Sequence, residues 1–417
     1  MRALVIGAGI AGLAAAGALA RGGWEVEILE ARTQRPEHQG MADLFGAGYD
    51  ALEAIGLLPA ASARSSTPFR IELQHPDGRP GPGYPTARFY GAFGGRHLSL
   101  PAADLEALLE DALPPTVRLR RGCAPERLEA DDGGTAAWLP DGGCVRADVL
   151  VGADGLGSAV RRTFFGPDAE CVRDLGLRVA DVSVHAPGLV QELRGRGLVA
   201  DGIGRTVQLC GLPDGRAMGA FIEHSAAAAR PGRPDTDAGT FLDAFTGLAP
   251  ATDSLLGLLQ KSPALHQPAV PDSTAPDPTA LGPASAGEPE AVAAAVVELP
   301  RWSTGRVVLI GDAACAVSFV SSQEAGLALA GGAFLGAALA RTRAPEQVPG
   351  ALAEFERRWR PTVRGPQRLV KRYAHKAVPR TRMNLLDRRF ALRVLSVPGI
   401  ARASARQLLG PIRGPVN

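Results

Sequence analysis

Three glycines near the start of the chain have the spacing that phosphate chemistry uses. Gly7-Ala8-Gly9-Ile10-Ala11-Gly12 reads G-x-G-x-x-G and lies between a β-rich apolar run at 3–6 and an alanine-rich helical run at 13–21. In that setting Gly7 permits the tight turn, Gly9 lets a diphosphate approach the backbone, and Gly12 lets the helix pack closely on the strand. Ile10 and Ala11 open the helix, whose free N–H groups and positive dipole end face the phosphates. Residues 25–29 alternate as a second strand, and Glu30 closes it about 20 residues beyond the turn, where a carboxylate accepts from a ribose diol. Ala31 and Arg32 follow Glu30 and complete this half of the candidate site. A βαβ unit of this kind binds a dinucleotide, and by itself does not separate NAD from FAD.

Two later segments narrow the choice. Asp148-Val149-Leu150-Val151-Gly152-Ala153-Asp154-Gly155 is a buried strand running into an Asp-Gly turn, followed by Ser158 and Arg161. Residues 305–314 form another strand ending in Gly311-Asp312-Ala313-Ala314 before a helix. A carboxylate at a strand's C-terminal end, beside a helix start, can accept from sugar hydroxyls while nearby N–H groups face phosphate. Asp312 also reads as an N-cap, and Asp154 as a structural turn residue.

With the three motifs in this order and at these separations, the chain resembles the single-component FAD-dependent monooxygenases of the para-hydroxybenzoate hydroxylase type. It is most similar to the branch that holds tetracycline-inactivating and polyketide-tailoring enzymes. The resemblance implies an α/β fold: a Rossmann-like FAD-binding domain (GR2-type), an inserted antiparallel-sheet substrate domain and C-terminal helices. It implies FAD as cofactor and NAD(P)H as reductant, with the first motif on the ADP half and Asp154 and Gly155 serving both nucleotides. Gly311, Asp312 and Ala313 would serve the ribityl and diphosphate region, and the loop at Ser322, Gln323 and Glu324 would face the flavin's pyrimidine edge.

That loop departs from the family, as does one earlier position. The family's Arg-x-Asp-Leu is Ala102-Ala103-Asp104-Leu105 here; Phe319 replaces a proline; and Ser322-Gln323-Glu324 replaces Gly-x-Gly. Ser and Glu add a Cβ where glycine allows positive φ and close approach. A carboxylate near the ring would oppose the charge of reduced flavin unless it points to solvent or is protonated. Two readings follow: an NAD(P)H-driven monooxygenase, or a redox-neutral cyclase or pericyclase on a flavoprotein scaffold, with FAD structural or absent.

The elements that must position these residues are readable in outline. A chain of 417 residues has room for about two domains. A helix at 103–113 carries leucines 105, 108, 109 and 113 on one face, and strand-like pieces at 117–120, 127–130 and 136–139 read as a meander. Short β-like runs at 172–222 suggest the antiparallel substrate sheet, and 262–289 is a Pro/Ala-rich insertion. The expected division is 1–170 and 291–345 for the FAD-binding domain, 171–290 for the substrate domain and 346–417 for C-terminal helices. His185, His224 and Glu223 are the acid–base candidates of the substrate domain.

Bulk properties exclude several classes. A net charge of +2 gives no reason to expect nucleic acid, and five cysteines without C-x-x-C spacing suggest neither zinc nor a disulfide framework. The longest apolar stretch, 325–340, is shorter than the about 20 residues of a spanning helix and reads as buried. The first strand begins too near Met1 to leave a signal segment. The arginine-rich tail at 360–413 reads as a solvated face on packed helices, so no membrane association is expected. A cytoplasmic monomer or homodimer acting on a small hydrophobic substrate is the resulting expectation.

Overall fold

A computed structural model describes residues 1–35, 40–225, 238–261 and 291–409; the insertion expected at 262–289 lies outside them. The first eleven strands are β1 Arg2–Ile6, β2 Glu25–Glu30, β3 Met41–Phe45, β4 Arg70–Gln74, β5 Pro80–Pro85, β6 His97–Pro101, β7 Val117–Arg121, β8 Arg127–Asp131, β9 Gly134–Trp138, β10 Cys144–Ala147 and β11 Val149–Gly152. Seven more follow: β12 Val172–His185, β13 Arg196–Gly202, β14 Arg205–Gly211, β15 Arg216–His224, β16 Val292–Val297, β17 Ser303–Thr304 and β18 Val307–Leu309.

The first sheet has the order β17-β18-β11-β1-β2-β7, parallel except for the short edge strand β17. Its central strands read almost without polar interruption because both faces are covered. Ala3, Leu4 and Val5 of β1 and all of Val149, Leu150 and Val151 of β11 are fully buried. The helices Ile10–Arg21 and Glu324–Leu339 pack on each other beside it. Their approach is close enough that a Cβ on Gly336 would meet Ala18 Cβ at 2.3 Å. The small antiparallel sheet β8–β10 packs against β1 and β11. The piece expected to open that meander, at 117–120, instead pairs in parallel with β2 as the edge of the main sheet, Ile28 opposite Leu119.

The second large sheet, β16-β12-β15-β14-β13-β4-β5, is antiparallel except where β13 runs parallel to β4. It is not confined to 171–290, since β4, β5 and β16 come from either side of that range. The period of two along each strand divides its faces. Ala180, Val182, Val207, Leu209, Ala217 and Phe221 pack against helices that include Pro187–Leu193 and Pro250–Leu259. Val179, Asp181, Gln208, Cys210, Met218 and Ala220 face a large internal cavity.

The helix Val348–Ala377 buries Leu352, Phe355, Trp359 and Val363 at helical spacing, with Phe334 of the preceding helix stacked near both aromatic rings. Two further helices, Arg382–Val394 and Pro398–Leu409, complete the C-terminal part, and Arg388, Leu392 and Leu395 reach the cavity wall. The expected buried helix at 325–340 is the Glu324–Leu339 helix. Among the described residues no helix is long and apolar enough to cross a membrane.

Candidate active site

The glycine turn is held from three sides. Gly7 sits at φ +103° and donates its N–H to Leu29 O at 2.8 Å, and a Cβ at this position would lie only 2.4 Å from Ala153 O. Gly12 packs so tightly over the turn that a Cβ would fall 2.0 Å from Gly7 O. Gly9 is different: its nearest neighbour on the Cβ side is Glu106 Oε1 at 3.6 Å, and the residue lines the cavity. Gly9 is thus the glycine of the turn with room on its Cβ side, at the position where a diphosphate would lie.

Glu30 is buried at the end of β2 and faces the same cavity. It accepts from the Ala8 N–H at 2.6 Å, the Arg32 N–H at 2.9 Å and Arg32 Nε at 3.0 Å. Burial alone would raise its pKa; the Arg32 charge and these hydrogen bonds outweigh burial and hold the carboxyl below its usual value. Where the family carries arginine, Ala102 lines the cavity, and one turn further on buried Glu106 does so too. Arg32 is the cation that both carboxylates face.

The second and third motifs lie on adjacent parallel strands, Gly152 opposite Leu309. The Asp154 carboxylate accepts from the N–H groups of Ala159 at 2.7 Å and Val160 at 3.1 Å and from the Ser158 hydroxyl, so it caps the helix Ala159–Phe164. The side chain thus plays the structural part, and Ala153, Asp154 and Gly155 of the same turn line the cavity. Arg161, fully buried, bolts the two motifs together. Its Nη1 donates to Ala313 O at 3.1 Å, while Nε and Nη2 reach Asp168 Oδ1 at 3.1 and 2.7 Å. Asp312 follows Gly311 at the end of β18, lines the cavity, and accepts no hydrogen bond from the described residues. Burial raises its pKa and the Arg161 charge opposes the rise. Gly12, Gly311 and Ala313 shape these turns without lining the cavity.

The loop expected to face a flavin ring keeps a glycine-like backbone without its glycine. Ser322 lies at φ +52°, in the left-handed region, and Ser321, Ser322 and Phe319 line the cavity. The Gln323 side chain is buried away from it, with Nε2 unpartnered. Glu324 is the first residue of the long helix and faces the cavity rather than solvent. Burial first, then the carboxylates of Asp312 and Asp181, push its pKa well above the usual value, which favours the neutral form. Burial likewise pushes Asp181 up to about 6, against a hydrogen bond from the Gly40 N–H.

Beyond this loop the cavity is aromatic, walled by Phe45, Tyr84, Phe89 and Tyr90. The antiparallel pair β3–β6 brings Asp43 and His97 together, Asp43 Oδ1 lying 3.5 Å from His97 Nε2. The Tyr90 ring stacks on His97 with centroids 3.6 Å apart at 14°. Burial pushes the Tyr84 phenol and the Cys210 thiol each up to about 12, with Asp43 adding to both. Arg388 reaches in from the C-terminal helix, held by Asp201 at 3.2 Å. None of these residues was nominated by the sequence. The three that were lie elsewhere: His185 is exposed, Glu223 pairs with Arg178, and His224 Nε2 contacts Val378 O at 3.1 Å. Among the described residues no cluster could hold a metal ion.

One cavity of about 1060 Å³ thus runs from Gly9 and Glu30 past Asp312 and Glu324 to Asp43 and Tyr90. That exceeds the roughly 300–1,000 Å³ of a typical single-ligand pocket. An open glycine backbone, a fixed acceptor at a strand end and a buried carboxylate without donors are the partners a nucleotide with a long polyol linker requires, and these residues fit FAD. Residues 1–196 match the FAD binding domain family. A 3-amino-4-hydroxybenzoate 2-monooxygenase of Streptomyces platensis is 34% identical over 171 residues, 40% of this chain and 42% of that protein. The chain spans about half or less of the length of the curated relatives it matches. Among solved structures, a tetracycline destructase superposes with TM-score 0.76 at 18% identity, covering 100% of this chain and 99% of that one. The Klebsiella pneumoniae protein HpxO, complexed with FAD and uric acid, gives 0.75 at 23% identity over 100% and 98%. At these identities the superpositions show a shared fold.

Proposed function

We propose that this protein is an FAD-dependent, NAD(P)H-driven monooxygenase that oxidises a small, largely apolar aromatic or polyketide-like molecule. The observation that carries the reading is the continuity of the cavity: the nucleotide groove and the aromatic chamber are one space, joined at Asp312 and Glu324. When bound, FAD would supply electron transfer and oxygen activation, which protein side chains cannot.

The chain's own residues would do the rest. Glu30 and the Gly9 backbone hold the adenosine end, and Asp312 accepts from the linker hydroxyls. Glu324 in the protonated form that burial favours would not oppose negative charge on the ring and could donate a hydrogen bond to it. Phe45, Phe89 and Tyr90 orient a planar substrate and keep water out. Asp43, which lines the cavity with His97 beside it, would take a proton from a substrate hydroxyl. The matched relative, named for an aminohydroxybenzoate substrate, supports the aromatic class.

The test is spectroscopic. Purified protein with FAD should be yellow, bleach anaerobically with NADPH or NADH, and bleach faster with an aromatic ligand in the chamber. A yellow protein inert to both nucleotides under every ligand would overturn the monooxygenase reading in favour of redox-neutral chemistry.

A further inference from the structure

The Arg382–Val394 helix has two working sides. Its inner side sends Arg388 and Leu392 to the cavity wall. Its outer side exposes Met383, Leu386 and Phe390 at 65%, 56% and 67%, a spacing of three and four residues that makes one stripe. Val397 and Ile400, just beyond the helix, are exposed at 47% and 43%. No described residue covers the stripe, and single exposed apolar residues are ordinary where three on one helix face are not.

Charge runs beside the stripe. Helical spacing places Arg382, Arg389 and Arg393 in a row along one edge of it, with Arg402 and Arg406 on the following helix. Among the described residues these five form no ion pair. Asp387 is the one acidic residue between 378 and 409, against seven arginines.

We propose that this outer face docks on an anionic lipid surface, with Met383, Leu386 and Phe390 entering the headgroup and acyl boundary and the arginines meeting lipid phosphates. The charge selects this occupant over a second copy of the chain. A second copy would bring up a face of the same positive sign, with a single aspartate on each side to compensate. The sequence alone reads these arginines as a solvated face; the row of exposed apolar residues beside them changes the reading. Because the helix lines the cavity on its other side, docking would hold the cavity wall about 10 Å, one helix diameter, from the lipid.

The full chain, sedimented with phosphatidylcholine vesicles and with vesicles containing about one-third phosphatidylglycerol, tests this. Pelleting is expected with the anionic vesicles alone and should fall steeply between about 0.1 and 0.5 M salt. The triple variant Met383→Ser, Leu386→Ser, Phe390→Ser alters exposed side chains only and should reduce binding at least about tenfold. Arg382→Gln, Arg389→Gln and Arg393→Gln should each weaken it roughly fivefold. Phe390→Trp should blue-shift its emission with anionic vesicles and remain unshifted with neutral ones, a readout that needs no loss of binding. Failure to pellet with anionic vesicles, or equal pelleting by the triple variant, overturns the proposal. So does a dimer in solution that Leu386→Ser converts to monomer, since that assigns the face to a second copy. None of these readings requires flavin or turnover, so they stand apart from the proposed activity.

Discussion

Ser322 occupies a backbone conformation that only glycine adopts without cost. The left-handed region costs a non-glycine residue about 1 kcal/mol or more, so Ser322→Gly should raise stability by about that amount and tighten FAD in a fluorescence titration. Unchanged values in both would mean that other contacts relieve the strain. Glu324 carries a pH dependence whose sign follows from its raised pKa. Protonated in the folded protein and ionised in the unfolded chain, it contributes stability in full below its unfolded pKa. That contribution is lost as pH rises through the folded value. Asp181 behaves in the same way between about 4 and about 6. Glu324→Gln should therefore flatten the high-pH fall in stability, measured by urea unfolding across pH. Asp43→Asn should lower turnover by about 10²–10⁴ and leave FAD binding as it was, a split that separates proton transfer from cofactor holding. The nucleotide half of the site was legible because Gly7, Gly9, Gly12 and Glu30 sit within one βαβ unit, where spacing along the chain is spacing in space. Asp43 and His97 belong to separate strands whose pairing no local pattern reports, and their chemistry was invisible for that reason.

At the scale of elements, the same distinction separates what the sequence shows from what it hides. The helices at 103–113 and 325–340 announced themselves through leucine spacing and an unbroken apolar run, and both formed. The strand Pro80–Pro85 has the sequence Pro-Gly-Pro-Gly-Tyr-Pro, which no β-propensity would select. It survives as the outermost strand of its sheet, where missing N–H donors on one side cost nothing. Arg161 shows how one side chain can join elements far apart in sequence. It ties the Ala159–Phe164 helix to the turn after β18 through Ala313 O and to Asp168. Arg161→Leu would leave the Ala313 and Leu156 carbonyls without this donor and Asp168 with Arg162 alone, and should destabilise the protein by roughly 2–4 kcal/mol in urea unfolding. Because it also moves Asp312, FAD affinity should fall with it, whereas a purely structural bolt would leave the affinity of the folded fraction unchanged.

For the whole molecule, the groove that the first 196 residues match is finished by residues beyond 300, since β18 and Asp312 stand beside β11. Occupancy of the groove should therefore stabilise the entire chain, by about 2.7 kcal/mol at a hundredfold excess over Kd, as a single shift in thermal midpoint rather than two. The arrangement also sets a schedule for synthesis. β11 leaves the ribosome with one long edge bare, and β18, the strand that seals it, follows about 150 residues later. At about 5–20 residues per second that edge waits roughly 8–30 s for its neighbour. An apolar strand bare for so long is an invitation to aggregate. Yield in a heterologous host should therefore depend on chaperone supply and on translation speed across the intervening segment more than on the stability of the finished protein.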